Sequence, residues 1–200
     1  MSHVCDMCRP DYAPARRTRG LTLPELMIGL AVVGVLSAVA VPGIGSYVQN
    51  GRIRGSTLDL VEAIALARSE AVTRRLPVTL CRTADPTAAV PSCGGTQYDW
   101  GSGFLVFVDQ NGDGVYANGV DIQLRVGART SGGLRIRTND QGNNNLRFNA
   151  DGTTNESGNT VIFALCDARG GEAGRQVRVP PVGRPWITQG SRAVPIDCQV

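Results

Sequence analysis

The chain contains no lysine, so all twenty of its basic residues are arginine. GC-rich coding alone produces such a bias, and it carries no functional weight by itself. Histidine is almost as scarce, with His3 the only one among 200 residues. Beyond residue 3 no imidazole is available as a general base, which excludes Ser-His and Cys-His nucleophile pairs from the body of the chain. Charge is also missing from one long stretch, because nothing ionisable by carboxylate or guanidinium separates Glu25 from Arg52. That gap covers most of an apolar run, residues 21–41, of about the 20 residues a helix needs to cross the hydrocarbon core of a membrane. The rest suits one domain, since roughly 140 residues beyond the run can bury a modest core.

What precedes the run is basic: Arg16, Arg17 and Arg19 lead to Gly20, and the segment then reads Leu21-Thr22-Leu23-Pro24-Glu25-Leu26. Positive charge ahead of an apolar helix holds that end in the cytoplasm. A carboxylate within such a helix costs on the order of 2.5–3.5 kcal/mol by insertion scales, so Glu25 calls for a partner. Gly followed by apolar-Thr-Leu-x-Glu-Leu and a Val/Ala/Leu/Gly run resembles the class III signal sequence of type IV pilins and type II secretion pseudopilins. The resemblance implies that a prepilin peptidase cuts after Gly20 and methylates the new amine of Leu21. It also implies that Glu25 meets the amino terminus of a neighbouring subunit during assembly. The family usually has Phe where Leu21 stands and Ile where Pro24 stands, and Pro in the first turn of a helix loses no hydrogen bond. Pro42, followed by Gly43, matches the position where the family's helix loosens within a filament.

The six cysteines fall into two groups. Cys5 and Cys8 form a C-x-x-C in the presumed leader, without a second ligand pair nearby. Cys81, Cys93, Cys166 and Cys198 fall on the translocated side, where disulfides persist. Four cysteines allow three connectivities. Cys81–Cys93 and Cys166–Cys198 are expected, because each ties off a local loop rich in Gly, Pro and polar residues.

Beyond the apolar run, Ser56 and Asp59 read as a capping signal for a second helical stretch. Leu60, Ile64, Ala67 and Ala71 then recur at helical spacing to about Arg74. Short strands are expected at residues 77–83, 100–108, 121–126, 134–138, 146–149, 160–166 and 176–179, punctuated by Gly, Asn and Asp. The second and third form a hairpin around a long turn. A leading helix followed by antiparallel strands is an α+β layout. Trp100-Gly-Ser-Gly-Phe-Leu-Val-Phe-Val-Asp109, Phe148-Asn-Ala-Asp-Gly152 and Cys166-Asp-Ala-Arg-Gly170 resemble the globular domain of the GspH/FimT group of minor pilins. The resemblance implies the type IV pilin fold, a long N-terminal helix with a transmembrane first half, packed on an antiparallel β-sheet. It divides the chain into a leader (1–20), a transmembrane and assembly helix (21–48) and a periplasmic domain (49–200). It further implies a bacterial inner-membrane protein that is incorporated into a pilus or pseudopilus. Its partners would be other pilins and the prepilin peptidase; it would be no enzyme and carry no cofactor.

Two regions bear candidate chemistry. Asp109, Asn111 and Asp113, with Gly114, have the spacing that opens an EF-hand calcium loop. Val120 stands where the loop's closing acid belongs, although Asp121 follows, and a Gly/Asn/Asp-rich turn needs no ion to form. The second region is arginine-rich. Arg169, Arg175, Arg178, Arg184 and Arg192 are opposed only by Glu172, and the preceding Arg125, Arg129, Arg135, Arg137 and Arg147 only by Asp140. Guanidinium groups match phosphate oxygens, and Trp186, close to Arg184, suits stacking on a base of single-stranded DNA. Some members of the FimT group are DNA-binding pilins of natural transformation with a C-terminal Gly-Arg-x-Arg motif. Gly174-Arg175-Gln176-Val177-Arg178 is one residue too long for it, and Gly183-Arg184-Pro185-Trp186 lacks the second Arg. On a strand, Arg175 and Arg178 point to opposite faces. Residues 1–20 hold four arginines and two aspartates, leaving the remainder with +1 of the net +3, so any DNA affinity must come from a local patch.

Overall fold

The computed structural model describes residues 20–139, 145–156 and 158–189, with the backbone but not the side chains of 39–43. The chain divides into two compact units at Gly43/Ile44. A single helix, α1 (Leu23–Arg74), begins in the first and continues into the second. Its entry shows the acid half of a capping box. Thr22 takes the N-cap position and its carbonyl accepts from the Leu26 amide at 3.1 Å. The Glu25 carboxylate reaches back to the Thr22 amide and hydroxyl at 3.4 and 3.5 Å. The Thr22 amide thus finds a partner in the acid three residues on. Pro24 falls where a missing amide costs nothing. At the other end Arg75 adopts φ 56°, the left-handed geometry that closes helices, and Pro77 prevents continuation.

Helix and strands meet in one core within the second unit. From α1 come Ile53, Leu60, Ala63, Ile64, Ala67 and Ala71, all but inaccessible to solvent. The strands form two four-stranded antiparallel sheets. The first, in the order β3-β2-β1-β5, is built from β1 (Val78–Arg82), β2 (Phe104–Val108), β3 (Ile122–Gly127) and β5 (Asn145–Phe148). The second, β4-β6-β7-β8, comprises β4 (Arg135–Thr138), β6 (Val161–Cys166), β7 (Arg175–Val179) and β8 (Trp186–Gln189). Val78, Leu80, Val106, Val108, Leu146 and Phe148 of the first join Ile136, Val161, Phe163, Leu165, Val177 and Val179 of the second around the helix stripe. Trp100 packs edge-on against Phe163, with ring centroids 5.0 Å apart.

β2 is buried at every residue and reads Phe-Leu-Val-Phe-Val without alternation. Such a run needs cover on both faces. Leu105 and Phe107 belong to a second small core with Cys81, joined by Cys93, Tyr116 and Val126. Tyr116 lies edge-on to Phe107 at 5.4 Å, and a Cys81–Cys93 disulfide staples the β1–β2 connection over this core. Cys166 is also disulfide-bonded. Cys198, its expected partner, lies outside the described residues.

Three expectations change. The sheet is split in two, with a strand, β8, that periodicity did not reveal. α1 runs without interruption through Pro42-Gly43. Ser56 caps nothing, because the turn before it is already helical, with Ile53 and Thr57 on either side held in the core. Packing there overrides the local capping preference.

Candidate functional site

The N-terminal turn carries the expected processing and assembly residues, Gly20, Leu21 and Glu25. Every residue from 20 to 38 is exposed. Leu21, Leu23, Met27, Ile28, Leu30, Val33, Val35 and Leu36 each expose more than half of their surface, and they surround the helix on all sides. Among the described residues no helix is long and apolar enough to cross a membrane, and the run at 21–41 extends into residues whose side chains are not described. Apolar side chains on every side of a helix form a surface suited to burial. Thr22 is the residue that sequence reasoning passed over here. Thr-x-x-Glu ahead of an apolar run was its signal.

The calcium-like loop is organised by its own backbone. Asp109 is fully buried, and its carboxylate accepts from the amides of Gly112 (2.7 Å) and Gly114 (2.9 Å) and from the Thr79 hydroxyl (3.4 Å). The Asp113 carboxylate accepts from the Val115 amide and from the Asn111 side-chain amide, both at 2.7 Å. Asp121 accepts from Gln110 and Ala117 amides at 3.0 and 2.7 Å. Asn145 and Arg147 of β5 donate to the carbonyls of Gly114 and Gly112. The loop is thereby drawn over the outer face of the first sheet, with Tyr116 as its apolar anchor. Among the described residues no cluster of three or more His, Cys, Asp or Glu forms a metal-binding group.

The arginines are sorted by the second sheet. On β7, Arg175 shares a face with core residues Val177 and Val179 and lines a shallow cleft with Asn50, Ile53, Glu172 and Gln189. Arg178 points to the outer face, where Trp186 of β8 is its direct cross-strand neighbour. Trp186 is 45% exposed. Arg184 is exposed in the turn before β8. That turn demands Gly183, whose φ is +75°; a Cβ there would lie 2.1 Å from the Gly152 carbonyl. The strands thus unite Arg178 with Trp186 and turn Arg175 away. Two further arginines join the outer face: in β4, Arg137 pairs with Ala164 and Arg135 with Cys166. Their Arg-Ile-Arg alternation was the available signal.

The Cys166-Asp-Ala-Arg-Gly170 segment is a latch. The Arg169 guanidinium contacts both Asp167 oxygens at 2.7–3.1 Å and donates to the Asn50 side chain of α1 at 2.9 Å. The hydrogen bond from Arg169 holds the Asp167 carboxyl below its ordinary pKa, and Asp167 in turn raises that of Arg169.

A family model described as type II transport protein GspH matches residues 56–183, and the prokaryotic N-terminal methylation motif matches residues 15–41. Among solved structures, the type IV minor pilin FimU of Pseudomonas aeruginosa strain PAO1 is similar in two crystal forms. One has TM-score 0.55 and 22% identity, covering 75% of this chain and 98% of that one. The other has TM-score 0.51 and 24% identity, covering 72% and 98%. At these identities the likeness is one of fold. No curated protein matches.

Proposed function

The chain belongs to the GspH family of minor pilins and pseudopilins, and from that premise we propose that it is a minor pilin acting in assembly or priming of a type IV pilus. Members of this family are structural subunits, and its work is association through α1. In this reading prepilin peptidase removes residues 1–20 and methylates Leu21. The helix is held in the inner membrane with the second unit in the periplasm, and it then transfers into the filament among other pilins. The observation that carries the reading is the all-round apolar exposure of residues 21–38 with Glu25 as their sole charge. In the subunit alone one Glu25 oxygen accepts from the Thr22 amide and hydroxyl, at 3.4 and 3.5 Å. A neighbour's freed amine offers a stronger, charge-assisted partner once both leave water. Glu25→Ala in the full chain tests this by immunoblot of sheared filaments: loss from the filament fraction at unchanged cellular level supports the assembly role, and normal incorporation removes it.

The family's description favours a second reading, a pseudopilin of a type II secretion system. Deleting the gene separates the two. Loss of surface pili supports the first, whereas loss of secreted proteins with pili intact supports the second.

Binding of DNA without sequence preference is a finer proposal, supported by the Arg178–Trp186 pair on a face that also carries Arg137. A stacking platform flanked by guanidinium groups suits a single strand. Residues 44–200 would retard single-stranded DNA at low salt, less so as salt rises. Arg178→Ala with Trp186→Ala would abolish the shift; no retardation at low salt rejects the proposal.

A further inference from the structure

We propose that the free edge of β8 is a docking site for an extended, acidic segment of a partner protein, which adds to the second sheet as a further strand. The two sheets have four edge strands, β3, β5, β4 and β8, and three of them are guarded against such an addition. Along β4 the Trp100 amide donates to the Ile136 carbonyl and the Thr138 amide to the Tyr98 carbonyl, with Asp99 bridged to Arg137. Along β5 the Asn155 amide donates to the Arg147 carbonyl, and the Asn155 side-chain oxygen accepts from the Arg147 amide. β3 is bent by a bulge against β2, and its Arg125 is drawn to Asp59 and Glu62 of α1. Bulges and covering segments are the means by which folded chains keep edges from pairing.

β8 has none of these guards. Its register with β7 is unbroken from Trp186 to Gln189, and no described segment pairs with its other side. Its sequence, Trp-Ile-Thr-Gln, carries no charge and no proline. In an antiparallel pair every second residue turns both its amide and its carbonyl away from the partner strand. Half of β8 therefore presents unpaired backbone groups to an incoming chain, the condition under which an edge templates a new strand.

The cleft beside that edge selects the segment. Ile187, which shares a face with core residue Val177, lines it together with Arg54, Thr57 and Leu58 of α1 and Arg175 of β7. Its volume is about 290 Å³, just short of the ~300 Å³ at which small-molecule pockets begin, so it suits the side chains of a docked strand. Ile187 and Leu58 remain 39% and 46% exposed, and the Thr57 hydroxyl is taken by the Ile53 carbonyl. What is left to a partner is an aliphatic floor and two guanidinium groups. Neither Arg54 nor Arg175 has an ion pair or a side-chain hydrogen bond among the described residues. No carboxylate lines the cleft with them, since Glu172 lines the adjoining one. Charge complementarity decides the occupant. A second copy paired β8 to β8 would lay Trp-Ile-Thr-Gln against the cleft and leave both arginines without an acid. A segment reading Val-x-Glu turns both side chains to the helix side, setting the aliphatic group on Ile187 and the carboxylate within a charge-assisted bond of Arg175 or Arg54. Main-chain bonds then give the affinity and the cleft gives the specificity. Every residue involved lies in the second unit, so the site is the same in a pilus subunit and in a secretion pseudopilin.

Amide hydrogen exchange of the full chain in detergent tests the addition, with synthetic peptides as probes. The peptide Thr-Val-Thr-Val-Thr-Glu-Thr should slow exchange of the β8 amides about tenfold at saturation. No slowing at about 1 mM peptide overturns the proposal. A peptide with the same side chains but every amide methylated cannot add a strand, and equal protection by it overturns strand addition. Lys in place of Glu should weaken binding about tenfold; equal binding of the two peptides overturns recognition of an acid. Arg54→Glu, on the exposed side of α1, should shrink that difference, and an unchanged difference removes the cleft from the site. Exchange that slows with protein concentration in the absence of peptide assigns the edge to a second copy and overturns the proposal.

Discussion

The two halves of α1 use apolar side chains in opposite ways. From Ile53 to Ala71 they form one stripe, and that stripe is sealed against both sheets. From Leu21 to Leu36 they cover every side and are left bare. The sealed half makes the core of the domain. An aliphatic side chain moved out of water is worth about 1.5–3 kcal/mol, so burying the bare half would release a large reserve, which in the proposed role lipid and sister helices take up. In the proposed role the difference separates assembly from folding along a single element.

Substitutions on either side should keep that separation. The largest effect is expected for Glu25→Ala, which should abolish filament incorporation while residues 44–200 melt as in the parent. A melting shift would show that the halves are coupled. In the sealed half, Leu60→Ala or Ile64→Ala should destabilise residues 44–200 by about 2–5 kcal/mol in urea titration, through lost transfer energy and a cavity. Leu30→Ala, in the bare half, should leave that titration unchanged. Cys93→Ser should cost about 3 kcal/mol by releasing a short loop in the unfolded chain. The smallest effect concerns the latch where α1 joins the domain. The Asp167 carboxyl is held below its ordinary value, so its contribution is present above pH ~4 and is lost as pH falls through its folded pKa. Arg169→Ala should lower stability at neutral pH by about 1 kcal/mol and flatten the acid limb of the stability profile. An unchanged acid limb would show that the latch is idle.

Much of this division was legible in the chain. The charge-free run after Glu25 marked the bare half, and the Leu60-Ile64-Ala67-Ala71 spacing marked the sealed one. The β2–β3 hairpin and the Cys81–Cys93 staple followed from turn residues and loop composition. What escaped depends on contacts distant in sequence. Nothing local in Trp186-Ile-Thr-Gln189 announces an edge strand, which exists because β7 offers it a ladder. The face shared by Arg137 and Arg178 arises only because β4 and β7 flank β6. Asp109, Asn111 and Asp113 have the spacing of a cation loop, yet their oxygens are met by amides of the same loop.

The account stands on the bare half being freed from its leader and delivered to an apolar environment. Intact mass and N-terminal sequencing of the protein, recovered from cells that possess prepilin peptidase, test this most directly. A chain beginning at N-methylated Leu21 is the predicted result; a chain that still carries residues 1–20 would contradict it.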